Sequence, residues 1–362
     1  MRKENEMGNV LITTYSIREI EDICELVSGF DDGKKQIAVF TKEDPDMPKF
    51  QNLIIHIESM VQYEELVKRM EEVYLSPTLV RLDKEIFKTM VRFIVNENKK
   101  IILSREIESY CKNECELVIP SKLRYRFKAD KEPEIAKDQL LEIRTPILYI
   151  TSFWEGLDKF QILLRTKTEF EKKGYKVLAF GSKRESEFVG MEALPEYLFQ
   201  SSYDEKTKII GINQLVEKRC DEEKPDIVLI SVPGEIAKYS DETIGHMGIT
   251  LWELKNAVFP DCMICSVPFE KYTEPDAKNI KAFITQTCGI SCTYLHVANK
   301  MINKTCSHRK RTLFYLNISK EEVKQIVDKN MKNICNYHHA KFDVCIDNII
   351  EKLIKNGEVV II

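Results

Sequence analysis

A chain of 362 residues, 43% hydrophobic and 31% charged, holds enough apolar material for two ordinary domain cores. Its net charge of −4 argues against a nucleic-acid partner, because such proteins usually carry a basic excess. No apolar run approaches the roughly 18 residues that a spanning helix needs, and Met1 to Tyr15 contain no signal-like apolar core, so the expected setting is the cytoplasm, with no membrane partner.

The first part of the chain alternates short apolar runs with helical patterns. Val10 to Thr14 reads as a strand, and Ile17, Ile20, Ile23, Cys24 and Val27 follow at helical spacing. Ile37 to Phe40 and Leu53 to Ile57 are further strands. Tyr63 to Val73 reads as one amphipathic helix with Leu66, Met70 and Val73 on its stripe, and Phe87, Met90, Val91, Phe93 and Ile94 mark another. Ile101 to Leu103 and Leu117 to Ile119 complete a set of strands. Strands joined by helical crossovers predict a parallel sheet, hence a Rossmann-like or flavodoxin-like α/β domain over residues 1–125. No Gly-x-Gly-x-x-Gly follows the first strand, where Tyr15-Ser16-Ile17 stands, so a dinucleotide is not indicated.

The charged, proline-bearing stretch 126–145 reads as a linker. A second α/β unit is expected over 146–318. Its strands are the segments leading from Pro146, Tyr175 to Phe180, the run after Asp226, Cys262 to Val267, and Tyr294 to Val297. Between them, Phe160, Leu163, Leu164 and Phe170 trace a helix capped by Gly174, and further helices are read near Ile209 to Cys220 and Trp252 to Val258. Residues 319–362 form a C-terminal helical segment, opened by a Ser319/Glu322 capping box and stopped at Gly357.

Pro146 to Ser182 is the most telling stretch: strand, tight loop, a lysine opening a helix, second strand. That is the layout of a phosphate-binding loop, whose pattern is G-x-x-x-x-G-K-[ST]. Setting its lysine on Lys159 puts Phe153 and Asp158 at the glycine positions and Phe160 at the hydroxyl that would contact magnesium. Gly156 lies in the middle of the loop, and Asp158 would bring a negative charge to the phosphates. The strand after Asp226 ends in Ser231-Val232-Pro233-Gly234, where one large branch of phosphate-loop proteins carries a magnesium-binding acid in place of Ser231; Asp226 lies at the wrong end. The second unit therefore reads as a degenerate P-loop NTPase. Ligands collect at the C-terminal ends of parallel strands, which gathers Gly156, Lys159, Ser182, Arg184, Ser231 and Gly234 as candidates to bind a phosphate-containing ligand such as a nucleotide, with no metal expected.

Other clusters have plainer readings. Eleven cysteines in a long chain of this kind read as reduced thiols. Cys262 and Cys265 with Cys288 and Cys292 have some of the spacing of a zinc site, but residues i and i+3 of a strand face opposite ways. Cys335, His338, His339 and Cys345 invite a metal; the stripe Cys335, His338, Phe342, Cys345, Ile349 and Leu353 reads instead as a buried helix face. His308 to Arg311 is a basic run suited to an acidic partner or a solvated loop. His246 reads as an incidental loop histidine or as an acid or base near the rim.

On three segments, Asp158 to Phe199, Pro225 to Gly234 and Gly248 to Asp261, and more faintly on Asn9 to Ile23, the chain resembles the clostridial peptide-maturation-system proteins, natural-product and bacteriocin-type cluster partners of radical SAM maturases. It departs from them at Val189 to Pro195. The resemblance implies a role in maturing a ribosomally made, Cys-rich or bacteriocin-like peptide, with the precursor peptide and the maturase as partners, and it matches Lys159 and the Pro233-Gly234 turn. The expectation is an accessory protein without ordinary NTP hydrolysis. The competing expectation is an NTP-dependent kinase or ligase acting on the peptide, with Asp158, Glu155 or Glu235 replacing the lost metal ligand.

Overall fold

The structure, a computed structural model, describes residues 9–15, 35–40, 54–103, 105–125, 132–328 and 334–358. The helix expected over Ile17 to Val27 lies outside the described residues. The chain divides into two units, 1–128 with 187–190, and 129–186 with 191–362.

The first unit is built on a six-stranded parallel sheet. Its strands are β1 (Val10–Thr14), β2 (Lys35–Val39), β3 (Ile54–His56), β4 (Glu72–Leu75), β5 (Lys100–Leu103) and β6 (Arg124–Tyr125), in the order β3-β2-β1-β4-β5-β6. Every residue of β1 and β4 is buried, as expected for parallel strands covered on both faces. Helices α1 (Met60–Arg69), α2 (Lys84–Asn96) and α3 (Arg105–Asn113) accompany the sheet. Asp83 caps α2 by accepting the N–H groups of Glu85 and Ile86.

Two expectations fail here. The helix read over Tyr63 to Val73 stops at Arg69; Met70 turns extended, with ψ 154°, and Val73 belongs to β4. Leu66, Met70 and Val73 keep helical spacing only because the helix stripe and the next strand bury into one core. Leu117 to Ile119 is not a strand; β6 pairs beside β5 instead.

The second unit holds a seven-stranded parallel sheet made of β7 (Ile147–Ser152), β8 (Val177–Gly181), β9 (Glu192–Ala193), β10 (Ile227–Ser231), β11 (Cys262–Val267), β12 (Tyr294–Val297) and β15 (Ile334–Cys335). Their order is β15-β12-β11-β7-β10-β8-β9. An antiparallel hairpin, β13 (Lys300–Ile302) with β14 (Tyr315–Asn317), stands apart from it. The helices are α4 (Lys159–Lys172), α5 (Glu205–Glu223), α6 (Ile249–Ala257), α7 (Glu274–Cys288), α8 (Lys304–Lys310), α9 (Lys320–Asp328) and α10 (Lys341–Glu358). Strand β7 is central and buried along its whole length. The connection after β7 leads toward β8, whereas the one after β11 leads toward β12, on the other side. Such a reversal opens a crevice at the strand ends.

Residues 132–145 of the expected linker are strapped to α5. Gln214 accepts the N–H of Ala136 at 2.8 Å, and Asn213 accepts that of Leu141 at 2.6 Å. Helix α7 has a full Thr273/Asp276 capping box that the apolar pattern did not signal. Ser319 accepts the N–H of Glu322 at 3.2 Å, as its position before α9 requires. The single helical stripe from Cys335 to Leu353 does not exist: Cys335 is in β15, His338 lies in a turn, and only Phe342 onward is helical. Gly357 lies within α10 rather than ending it.

Candidate functional site around Lys159

The loop 153–158 leaves β7 and delivers Lys159 to the first position of α4. The Lys159 ammonium does not reach into open space. It donates to the carbonyl of Val232 at 2.8 Å and also to that of Gly234, both in the turn after β10. Two of its three N–H donors are thereby used. Burial lowers Lys159 to about 8, and the carboxylates of Glu155 and Glu235 pull in the opposite direction. The turn itself is tied across β7, with Ile236 N–H on the Ser152 carbonyl at 3.1 Å and Ser152 Oγ on the Gly234 carbonyl at 3.4 Å. Lys159, Ser152 and the backbone of the turn thus satisfy one another.

The two expected losses of metal contact have definite replacements. Phe160 is a core ring, 4% exposed, with Lys183 Nζ 6.0 Å above its centroid. Ser231 is fully buried at the end of β10, and its hydroxyl meets no hydrogen-bond partner among the described residues. The two half-buried aromatics of the loop have ring partners: Phe153 lies 5.5 Å from Phe283 of α7, and Trp154 lies 5.2 Å from Tyr239.

Asp158 does not project a negative charge toward a phosphate. It is buried, in the left-handed region at φ 48°, and its carboxylate accepts the Asn299 N–H at 3.1 Å and pairs with Lys300 at 3.1 Å. The hairpin covers the loop as well. Lys300 donates to the Gly156 carbonyl at 3.0 Å, the Tyr315 hydroxyl donates to the Glu155 carbonyl, and the Tyr315 ring would stand 3.0 Å from a Cβ at residue 156. With φ +84°, Gly156 is a position that both conformation and space reserve for glycine. Lys300 and Tyr315 carry no sequence signal of this role; their approach depends on the hairpin's placement.

Gly234 sits beside Lys159 as the sequence suggested, and His246 packs against it, 3.5 Å from a Cβ placed there. Ser182 follows β8 and is half-buried. Arg184 is turned into an ion pair with Glu196, so its charge is committed within the fold. Glu235 is buried, and its carboxylate accepts the N–H groups of His246 and Met247, the latter at 2.8 Å.

Among the described residues, no group of three or more His, Cys, Asp or Glu is placed to hold a metal ion. Burial pushes the thiols of Cys288 and Cys292 up to about 11 and about 12, and raises Cys262 and Cys265 too, which disfavours the thiolates a zinc ion needs. His339 pairs with Asp328 at 2.9 Å, and His338 lies on the Tyr337 ring, so the second cluster diverges. Elsewhere on the sheet, His296 is fully buried on β12, bonded through Nδ1 to Ser266 Oγ at 3.1 Å. Burial lowers it to about 3.

Helices α6 and α7 frame a cavity of about 300 Å³, lined among others by Ile236, Met247, Ile249, Trp252, Lys255 and Cys288. Its lining comes from the β10–α6 connection, α6 and the end of α7 together, and no motif announces it.

No protein-family model and no curated protein matches the chain. Among solved structures, a DUF1611 family protein from Anabaena variabilis is similar along 95% of this chain and all of its own, with a TM-score of 0.60 and 8% identity. That likeness is one of fold. MinD cell division protein from Aquifex aeolicus overlaps 56% of this chain and 86% of its own, at 17% identity and a TM-score of 0.30. HypB from Helicobacter pylori overlaps 59% and 87%, at 13% identity and a TM-score of 0.31. The architecture is two parallel-sheet α/β units, the second with the strand–loop–lysine–helix layout of a P-loop protein. Among the described residues, no helix is long and apolar enough to cross a membrane.

Proposed function

We propose that this protein is a cytoplasmic accessory protein in the maturation of a ribosomally made peptide. It binds the peptide, a partner maturase of the radical SAM type or a phosphate-containing ligand, and does not carry out ordinary NTP hydrolysis. The observation behind the second half of this reading is the capture of Lys159 by the Val232 and Gly234 carbonyls. A phosphate-loop lysine works by meeting the terminal phosphates beside a magnesium ion held by a hydroxyl and an acid. Here the hydroxyl position is a core phenyl ring and the acid position is Ser231. A phosphate reaching this loop would find two of the three Lys159 donors held by carbonyls and the Tyr315 hydroxyl on the loop backbone. The first half rests on the resemblance carried by Asp158 to Phe199, Pro225 to Gly234 and Gly248 to Asp261, and an open apolar cavity in the same unit supplies a place for a peptide side chain.

The test is direct. Purified protein incubated with ATP or GTP and magnesium is expected to show no turnover above the blank, while the precursor peptide or the maturase is retained in a pull-down. Turnover that disappears in Lys159→Ala would reject the accessory reading. It would favour the enzyme reading, which has one observation on its side: Glu155 and Glu235 both lie close enough to Lys159 to act on its charge.

A further inference from the structure

The α6–α7 cavity joins two properties that seldom meet by accident. Its walls are apolar and partly open to solvent: Met247 is 51%, Ile249 53% and Trp252 49% exposed. Large apolar side chains left half-exposed together around a concavity mark a binding surface rather than a solvated one. Among the described residues, the cavity contains one cation, Lys255, and no carboxylate lines it. Lys255 donates to the Cys288 carbonyl at 2.6 Å, at the C-terminal end of α7, where a positive charge is favoured. That bond uses one of three donors, and among the described residues no acid pairs with it. At about 300 Å³ the space lies at the small end of ligand sites, roughly 300–1,000 Å³, which suits a single bulky side chain.

An occupant that uses both features carries an apolar group and an anionic group within a few bonds of each other. In a peptide, only the C-terminal residue carries an apolar side chain and a carboxylate on the same carbon. We propose that this cavity binds the C-terminal residue of a peptide, its bulky apolar side chain against Trp252, Ile249 and Met247 and its terminal carboxylate on Lys255. This rests on the peptide-binding reading above and narrows it to one end of the peptide. Glu235 links the cavity to the lysine turn, because it holds the N–H groups of His246 and Met247 where the loop enters the cavity wall.

The experiment is calorimetry on the full chain with N-acetylated tetrapeptides of glycine and serine ending in leucine. Trp252 emission, read in Trp154→Phe, reports on the site. The free acid is expected to bind roughly tenfold more tightly than the C-terminal amide, the scale of a charge-assisted hydrogen bond. Replacing the terminal leucine with alanine is expected to weaken binding by roughly tenfold or more. Lys255→Gln should erase the difference between acid and amide while keeping that between leucine and alanine. Thr287→Phe, which fills the cavity from an exposed position of α7, should abolish binding of both peptides.

Equal binding of acid and amide by the wild type would overturn the proposal. So would octanoate binding more tightly than the peptide, or the absence of any Trp252 response at about 1 mM peptide, the weak limit of specific recognition. Full-length precursor peptide retained equally by Thr287→Phe would reject this cavity as the dock and leave the accessory reading standing. Lys159-dependent NTP turnover would reject the accessory reading while leaving the tetrapeptide data to stand.

Discussion

The turn that grips Lys159 and the α6–α7 cavity are built from the same connection between β10 and α6, yet they end in opposite conditions. At the turn, Val232 and Gly234 offer carbonyls that a buried ammonium consumes, and the hairpin closes over the neighbouring loop. At the cavity, Met247, Gly248 and Ile249 present apolar surface to solvent beside a lysine with donors in reserve. A phosphate loop works because its polar groups are held in place without internal partners. Once the chain supplies those partners itself, the charge that marked the site becomes a structural strut. An apolar wall has no such internal substitute, so it stays available.

The sharpest way to break this contrast is to remove the strut. Lys159→Met would leave the buried Val232 carbonyl without its ammonium donor and the Gly234 carbonyl with only the long bond from Ser152 Oγ, and is expected to destabilise the protein by about 1–3 kcal/mol at pH 7, read from the urea midpoint. The wild-type lysine is lowered to about 8 when folded, against an ordinary value near 10.4. The unfolded chain therefore binds the extra proton between those values, and wild-type stability gains with rising pH from about 8 toward 10.4. The difference between wild type and Lys159→Met should widen over that window. Parallel pH curves for the two proteins would mean that the ammonium is not buried.

His296 tests whether another polar group buried at the strand ends is committed to structure in the same way. Lowered to about 3 when folded, against about 6.5 free, it contributes stability that is complete above pH 6.5 and lost as pH falls toward 3. The expected loss is about 2 kcal/mol by pH 5, and His296→Gln should flatten that part of the acid limb. Unchanged acid sensitivity in the variant would remove His296 from the account.

Gly156→Ala asks how firmly the hairpin closes the loop. The substitution forces a side chain into φ +84° and against Tyr315, and should cost about 1–2 kcal/mol in thermal or urea unfolding. A neutral result would show that Tyr315 moves aside and that the loop opens easily. The smallest effect is expected at the cavity. Thr287→Phe should change stability by less than about 0.5 kcal/mol, as for surface positions away from the core, while altering Trp252 emission.

Runs of buried residues made most of the sheets legible before any fold was known. Val10 to Thr14, Cys262 to Val267 and Tyr294 to Val297 are strands with the boundaries read from pattern alone, because a parallel strand covered on both faces is a nearly continuous apolar run. Lys159 and the Val232–Gly234 turn were also visible, since a strand, a short loop and a lysine-headed helix leave a local trace. Where spacing alone decided, it misled. Val73 continued a helical stripe and Cys335 began one, although each lies in a strand whose neighbours come from elsewhere in the chain.

The fate of the charges was decided only by contacts across long separations. Asp158 meets Asn299 and Lys300, and Lys159 meets carbonyls some seventy residues away. A residue's type says which bonds it is able to make, and local pattern says which face it occupies. Which partner it meets depends on how the β13–β14 hairpin and the β10–α6 connection cross the strand ends, and the cavity beside Trp252 arises where that connection meets α6 and α7.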